Sequence, residues 1–116
     1  MVTVEDVRRL ALTLPRTSEH LIGDRVKFRV GQIVYVAFSA DETVMGFAFP
    51  KEERDALIAS EPGTFHLPRL SDQRFNWVNA WTAELGEAEM RELVIDAWCM
   101  VVPKKVAAAR LGSPPR

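Results

Sequence analysis

The sequence predicts an α+β fold, a two-layer sandwich in which helices cover one face of an antiparallel sheet in the order α-β(3)-α-β(2)-α. Two observations predict it. Apolar residues recur with a period of about 3.6 near both ends of the chain, as in amphipathic helices, and with a period of 2 between residues 26 and 49, as in half-buried strands. Turn residues separate these strands at short intervals, which is typical of an antiparallel meander.

The composition predicts one ordinary globular domain. The chain has 116 residues, is 47% hydrophobic and carries a net charge of −1, which excludes the strongly basic class of nucleic-acid-binding domains. We expect the domain to span residues 1–110 and a flexible tail to follow at 111–116. With one cysteine, no internal disulfide forms. No secretion signal and no apolar run of about 20 residues is visible, so we expect a cytoplasmic monomer that does not bind membranes.

Both ends of the first helix can be identified from the sequence. Thr3 is a suitable N-cap and Pro15 ends the helix. Between them one apolar stripe recurs at helical spacing, formed by Val4, Val7, Leu10, Ala11 and Leu14. The residues from 16 to 24 read as a polar connection without regular structure.

Three strands follow in close succession. Residues 26–30 and 33–38 alternate as a hairpin joined at Gly31-Gln32, because glycine at the first position is what a type II′ turn requires. Residues 43–49 form the third strand, and Pro50 then starts a helix over residues 51–60.

The last third contains two more strands and a long helix. Residues 64–67 read as a short edge strand and residues 75–82 as a longer one. An apolar face then extends from Met90 to Val102 at helical spacing and includes Trp98, until Pro103 interrupts the helix.

Five stretches, which together extend over nearly all of residues 3–108, are distinctive in their order: LALTLP, KFRVGQIVYVAF, FPKEERDALIAS, EPGTFH and DAWCMVVPKK. In these stretches the chain resembles the MmcQ/YjbR-like family of small bacterial proteins. The resemblance implies the α-β(3)-α-β(2)-α sandwich, a fold similar to that of type III secretion chaperones.

The resemblance also implies a function, since the family is commonly labelled DNA-binding by analogy of its hairpins with the wings of winged domains. Fold alone does not establish that role. Where family members often close the first hairpin with Gly-Lys, this chain reads Gly31-Gln32-Ile33. The turn therefore lacks a cation that would contact phosphate.

Basic residues form the first candidate site. Arg25, Lys27 and Arg29 alternate with apolar residues on the first predicted strand, and Lys104 and Lys105 follow the last helix. Neighbours on one strand face are roughly 6.5 to 7 Å apart, which suits a row of phosphate contacts and equally suits a solvated sheet face. The first interpretation predicts weak, salt-sensitive, sequence-nonspecific DNA binding.

Aromatic residues form the second candidate site. Trp77, Asn79 and Trp81 share one face of the strand at 75–82. If this face is the buried face of a central strand, which the pattern favours, the rings pack in the core. If it turns outward, the tryptophans form the floor of a small-molecule pocket and Asn79 reads the polar groups of the ligand.

No catalytic or metal-binding constellation is visible. Ser18, Glu19 and His20 are adjacent, but a catalytic triad requires convergence in space. Two histidines in separate segments do not supply a metal site, and Cys99 reads as a partly buried, inert thiol. The sequence thus predicts a non-enzymatic protein without a cofactor, and it leaves three functions open: DNA binding, a protein-interaction module of chaperone type, or binding of a small molecule.

Overall fold

The sheet has six strands, one more than the sequence predicts. The structure, a computed structural model, describes residues 1–111, and within them the elements are α1 (Val4–Ala11), β1 (Thr17–Ile22), β2 (Arg25–Val30), β3 (Ile33–Phe38), β4 (Val44–Ala48), α2 (Lys51–Ser60), β5 (Phe65–His66), a 3-10 turn (Leu70–Asp72), β6 (Trp77–Trp81), α3 (Glu87–Cys99) and α4 (Lys104–Leu111). The strand order is β1-β2-β3-β4-β6-β5, and every neighbouring pair is antiparallel. The predicted α+β class is confirmed.

Strand β1 corrects the prediction of a polar connection over residues 16–24. It pairs with β2 along its whole length, and the two-residue turn at Gly23-Asp24 joins them. Gly23 has φ +64, a conformation that glycine adopts without steric cost. The meander therefore begins one strand earlier than predicted.

The helices α1 and α3 pack on one face of the sheet and enclose the core. The predicted stripe of α1 is buried, and Thr3 caps the helix by accepting a hydrogen bond from the Asp6 amide at 3.2 Å. Trp98 is fully buried and its indole donates to the Pro15 carbonyl at 2.9 Å, which confirms its predicted place in the core. Leu57 and Ile58 of α2 pack against the same core.

Strand β3 carries a bulge. Phe28 pairs with Val36 and Arg29 with Val34, so that Tyr35 is the extra residue between them. Both Tyr35 and Val36 are consequently buried. The Tyr35 hydroxyl lies 2.8 Å from the Thr17 hydroxyl, which connects the bulge to β1.

The C-terminal region differs in detail from the prediction. The helix predicted to reach Val102 ends at Cys99, and beyond Pro103 a separate helix, α4, forms. The tail predicted at 111–116 lies, apart from Leu111 at the end of α4, outside the described residues. No helix among the described residues is long and apolar enough to cross a membrane.

Candidate binding groove

The sheet face opposite α1 and α3, which we call the open face, brings part of each candidate site together. Residues paired directly across antiparallel strands share a face. His20 pairs with Lys27, Lys27 with Ala37, Ala37 with Gly46, and Gly46 with Asn79. Three strand spacings of about 4.8 Å place Lys27 roughly 14 Å from Asn79. The small residues between them leave a trough.

Burial on β6 settles the orientation of the tryptophans. Val78 and Ala80 are fully buried against the helices, whereas Trp77 and Asn79 are half-buried on the open face. Of the two interpretations of this strand, the outward one is therefore correct. Alternation defines two faces, and packing of α1 and α3 decides which one becomes the core.

The floor of the trough is built around Gly46. A Cβ at this position would lie 2.4 Å from Nε1 of Trp77 and 2.8 Å from Oδ1 of Asn79. Both side chains thus lean over the bare backbone of Gly46, and only glycine leaves them room. Neither the indole N–H of Trp77 nor the side-chain amide of Asn79 has a hydrogen-bond partner among the described residues, so both groups remain available to a ligand.

The groove that this floor supports has a volume of about 910 Å³, within the range of ligand pockets. Arg25 and Lys27 line one side, and the segment from Pro68 to Asn76 lines another. Met100 and Val101 also contact it. The groove therefore combines cations, an indole ring and a carboxamide.

The charges in the groove are not equally available. Arg69 is paired with Asp72 at 2.8 Å. Arg25 and Lys27 form no ion pair with any residue of the described chain. These two cations consequently give the groove a net positive charge.

Arg29, the third cation of the predicted row, is already engaged. Its Nη2 donates to Nδ1 of His20 at 2.8 Å. Because a guanidinium only donates, Nδ1 is the acceptor and the proton of the neutral ring is on Nε2, which donates to the Ser18 hydroxyl at 2.8 Å. His20 in this tautomer cannot remove the Ser18 proton.

Glu19 is separated from Ser18 and His20 by the sheet itself. It pairs with the core-facing Phe28 and accepts hydrogen bonds from Arg8 at 2.8 to 3.1 Å. The Arg8 guanidinium holds the pKa of Glu19 below its ordinary value. Ser18, Glu19 and His20 therefore do not form a triad.

Trp81 shares the open face with Trp77 but not the groove. It is 43% exposed, stacks on the His66 ring at 4.4 Å, and lines a second cavity of about 530 Å³ with Asp41, Glu42 and Glu84. Burial lowers the pKa of His66. The predicted pocket of Trp77, Asn79 and Trp81 is thus divided between two cavities.

The remaining predicted residues lie elsewhere. Lys104 and Lys105 are exposed in the first turn of α4 and do not line the groove. Cys99 is half-buried, and burial together with the nearby Asp96 carboxylate raises the pKa of its thiol. Within residues 1–111 no cluster of three or more histidine, cysteine or acidic side chains could hold a metal ion.

Sequence reasoning missed four residues of the groove region: Ala37, Gly46, Arg54 and Phe75. One signal was available, since an isolated glycine inside a strand often marks the close approach of another group, as at Gly46. The wall residue Phe75 and its support Arg54 carry no such signal because a loop conformation brings them into place.

Comparison with known proteins identifies relatives of this fold. A family model described as YjbR matches residues 12–100. A crystal structure of the Deinococcus radiodurans protein DR2400, described as a DUF419 domain, is similar with a TM-score of 0.78 and 21% sequence identity, covering 98% of this chain and 91% of that chain. No curated protein matches the chain.

Proposed function

Because the chain belongs to the YjbR family, and membership in a family of this fold does not identify a ligand, we propose from the groove itself that the protein binds single-stranded nucleic acid. A base stacks on the Trp77 indole, Asn79 contacts the edge of that base, and Arg25 and Lys27 contact backbone phosphates. The observation that carries the proposal is the presence of these four side chains along one groove.

The chemistry of the groove supports a single strand rather than a duplex. Stacking on an aromatic side chain requires an exposed base face, which a duplex does not offer along its length. Such stacking contributes about 1–3 kcal/mol per base and tolerates different bases. Of the cations predicted to contact DNA from the hairpin, Arg29 donates to His20 through its Nη2 and does not line the groove, whereas Arg25 and Lys27 do.

The two cations of the groove, Arg25 and Lys27, determine how strongly a single strand should bind and how its affinity should depend on salt. Two phosphate contacts on a single strand give a slope of log K against log salt of about −1.4. Between 50 and 200 mM salt the affinity should then fall about sevenfold. Binding of this kind is weak at physiological salt, in keeping with a net charge of −1 for the chain.

Fluorescence anisotropy with a labelled ten-nucleotide single strand tests the proposal. We expect the double variant Arg25→Ala/Lys27→Ala to weaken binding and to flatten the salt dependence. The double variant Lys104→Ala/Lys105→Ala changes the net charge equally but lies outside the groove, and it should bind like the wild type. Equal losses in the two double variants contradict the proposal.

Competitors distinguish the possible sources of the ligand. A matching duplex should compete more weakly than the single strand, because its bases are not free to stack on Trp77. A free mononucleotide that competes as strongly as the ten-nucleotide strand would identify the groove as a small-molecule site and overturn the nucleic-acid proposal.

A second candidate function is protein binding at the edge of the sheet. Strand β1 is the first strand of the sheet, and Leu21 and Ile22 near its end are 69% and 49% exposed. Extended peptides bind such edges by adding a strand. A protein captured by the wild type but lost with Leu21→Lys/Ile22→Lys supports this candidate, and identical captures contradict it.

A further inference from the structure

Arg54 is a buried cation on α2, 8% exposed, that serves the wall of the groove. Its Nη1 donates to the carbonyl oxygens of Phe75 at 3.2 Å and Trp77 at 3.0 Å. Its Nη2 donates to the carbonyl oxygen of Gln73 at 3.0 Å. One side chain thus fixes three backbone positions in the segment that leads into the groove floor.

Neighbouring residues donate further hydrogen bonds to this segment. The side chain of Lys51 donates to the Arg74 carbonyl at 3.2 Å, and its backbone amide donates to Oδ1 of Asn76 at 3.1 Å. The amide of Phe49 donates to the Asn76 carbonyl at 3.1 Å. Every residue from 73 to 77 is therefore held by at least one hydrogen bond from Lys51 or Arg54 of α2, and Asn76 is held by Phe49 as well.

Three carbonyl oxygens, rather than a carboxylate, are the partners of this buried cation. Arg54 forms no ion pair with any carboxylate in the described part of the chain, and its Nε is buried without a partner. Burying a cation without a counterion is costly, and the three carbonyl oxygens offset that cost, because an apolar side chain of similar volume would leave them without this donor. What the apolar side chain cannot do is orient three carbonyl groups.

We infer that Arg54 is a positioning residue that holds residues 73–77 so that Phe75 and Trp77 line the groove. The effect on ligand affinity rests on the function proposed above, whereas the effect on the segment does not. Hydrogen exchange measured by mass spectrometry reports the segment without any ligand, so the two inferences are tested separately.

The experiment compares Arg54→Met, Arg54→Lys and the control Arg91→Met, which removes an exposed arginine of α3. In Arg54→Met we expect faster exchange in peptides covering residues 68–77 and about tenfold weaker binding of the ten-nucleotide strand, because Trp77 is no longer held in place and the stacking of a base on it is partly lost. Arg54→Lys should be intermediate, because an ammonium still donates. Arg91→Met should match the wild type in both measurements.

Each outcome has a definite meaning. Exchange in residues 68–77 that is the same in Arg54→Met as in Arg91→Met overturns the positioning role, even if binding is lost. Faster exchange together with no binding by the wild type supports the positioning role and overturns the proposed function. If Arg54→Met does not fold, the comparison of Arg54→Lys with Arg91→Met decides the question in the same way.

Discussion

Replacing Gly46 with alanine adds one methyl group to the floor of the groove. The new Cβ would lie 2.4 Å from Nε1 of Trp77, whereas real Cβ atoms essentially never approach other atoms closer than 3.0 Å. The indole must therefore move by about 1 Å to reach an ordinary contact. Because Trp77 is half-buried and faces the open groove, it can shift outward, but it then leaves its place above the sheet.

The loss of stability expected for Gly46→Ala follows from this displacement. Overpacking of a well-packed site costs about 1–3 kcal/mol, and the lower half of that range applies where a ring can move toward solvent. For a domain of this size, about 1–2 kcal/mol lowers the melting temperature by roughly 4–10 °C. Binding of the single strand should weaken as well, since the stacking surface has moved.

Thermal unfolding by circular dichroism and anisotropy titration measure the two effects. Gly63→Ala is the matched control, because a Cβ there meets nothing within 4 Å and the residue has no positive φ. We expect it to change stability by less than about 0.5 kcal/mol. A Gly46→Ala protein that melts and binds like Gly63→Ala would refute the described packing of Trp77 over Gly46.

Two further predictions concern groups outside the groove. Burial and the carboxylates of Glu61 and Glu92 raise the pKa of Glu89 to about 7. The folded protein therefore favours the protonated carboxyl, and the stability that it contributes is lost as the pH rises toward 8. At pH 8 the Glu89→Gln variant should be more stable than the wild type by up to about 1 kcal/mol after solvent screening. Urea unfolding at pH 5 and pH 8 checks this, and a pH-independent difference contradicts it. Tyr35→Phe removes the hydroxyl that meets Thr17 at 2.8 Å and should cost about 1 kcal/mol in the same assay; an unchanged midpoint would show that the hydrogen bond contributes nothing.

The sequence predicts strands well where apolar residues alternate with polar ones, but it does not predict β1. The residue of β1 that pairs with Phe28 on the core face is Glu19, which an apolar pattern does not include. It is accommodated because Arg8 of α1 neutralises it and donates to both carboxylate oxygens. A strand whose core-facing residue is a carboxylate, paired with an arginine of another element, cannot be recognised from its own residues.

The groove could be predicted only in part for a related reason. The alternation on β6 correctly placed Trp77, Asn79 and Trp81 on one face. The pattern favours burial of the tryptophans as the core face of a central strand, yet that face of β6 is outside because Val78 and Ala80 pack against the helices. Nothing local in the sequence indicates that Lys27 and Asn79 lie on one face three strands apart, since strand order and register determine it.

The indole N–H resonances of the tryptophans report directly whether a single strand binds in the groove. In a nitrogen–proton correlation spectrum titrated with the ten-nucleotide single strand, we expect the Trp77 resonance to shift progressively. The Trp98 resonance should stay in place, because its N–H is buried and donates to the Pro15 carbonyl. A titration in which the strand binds while the Trp77 resonance remains unmoved would contradict binding in the groove.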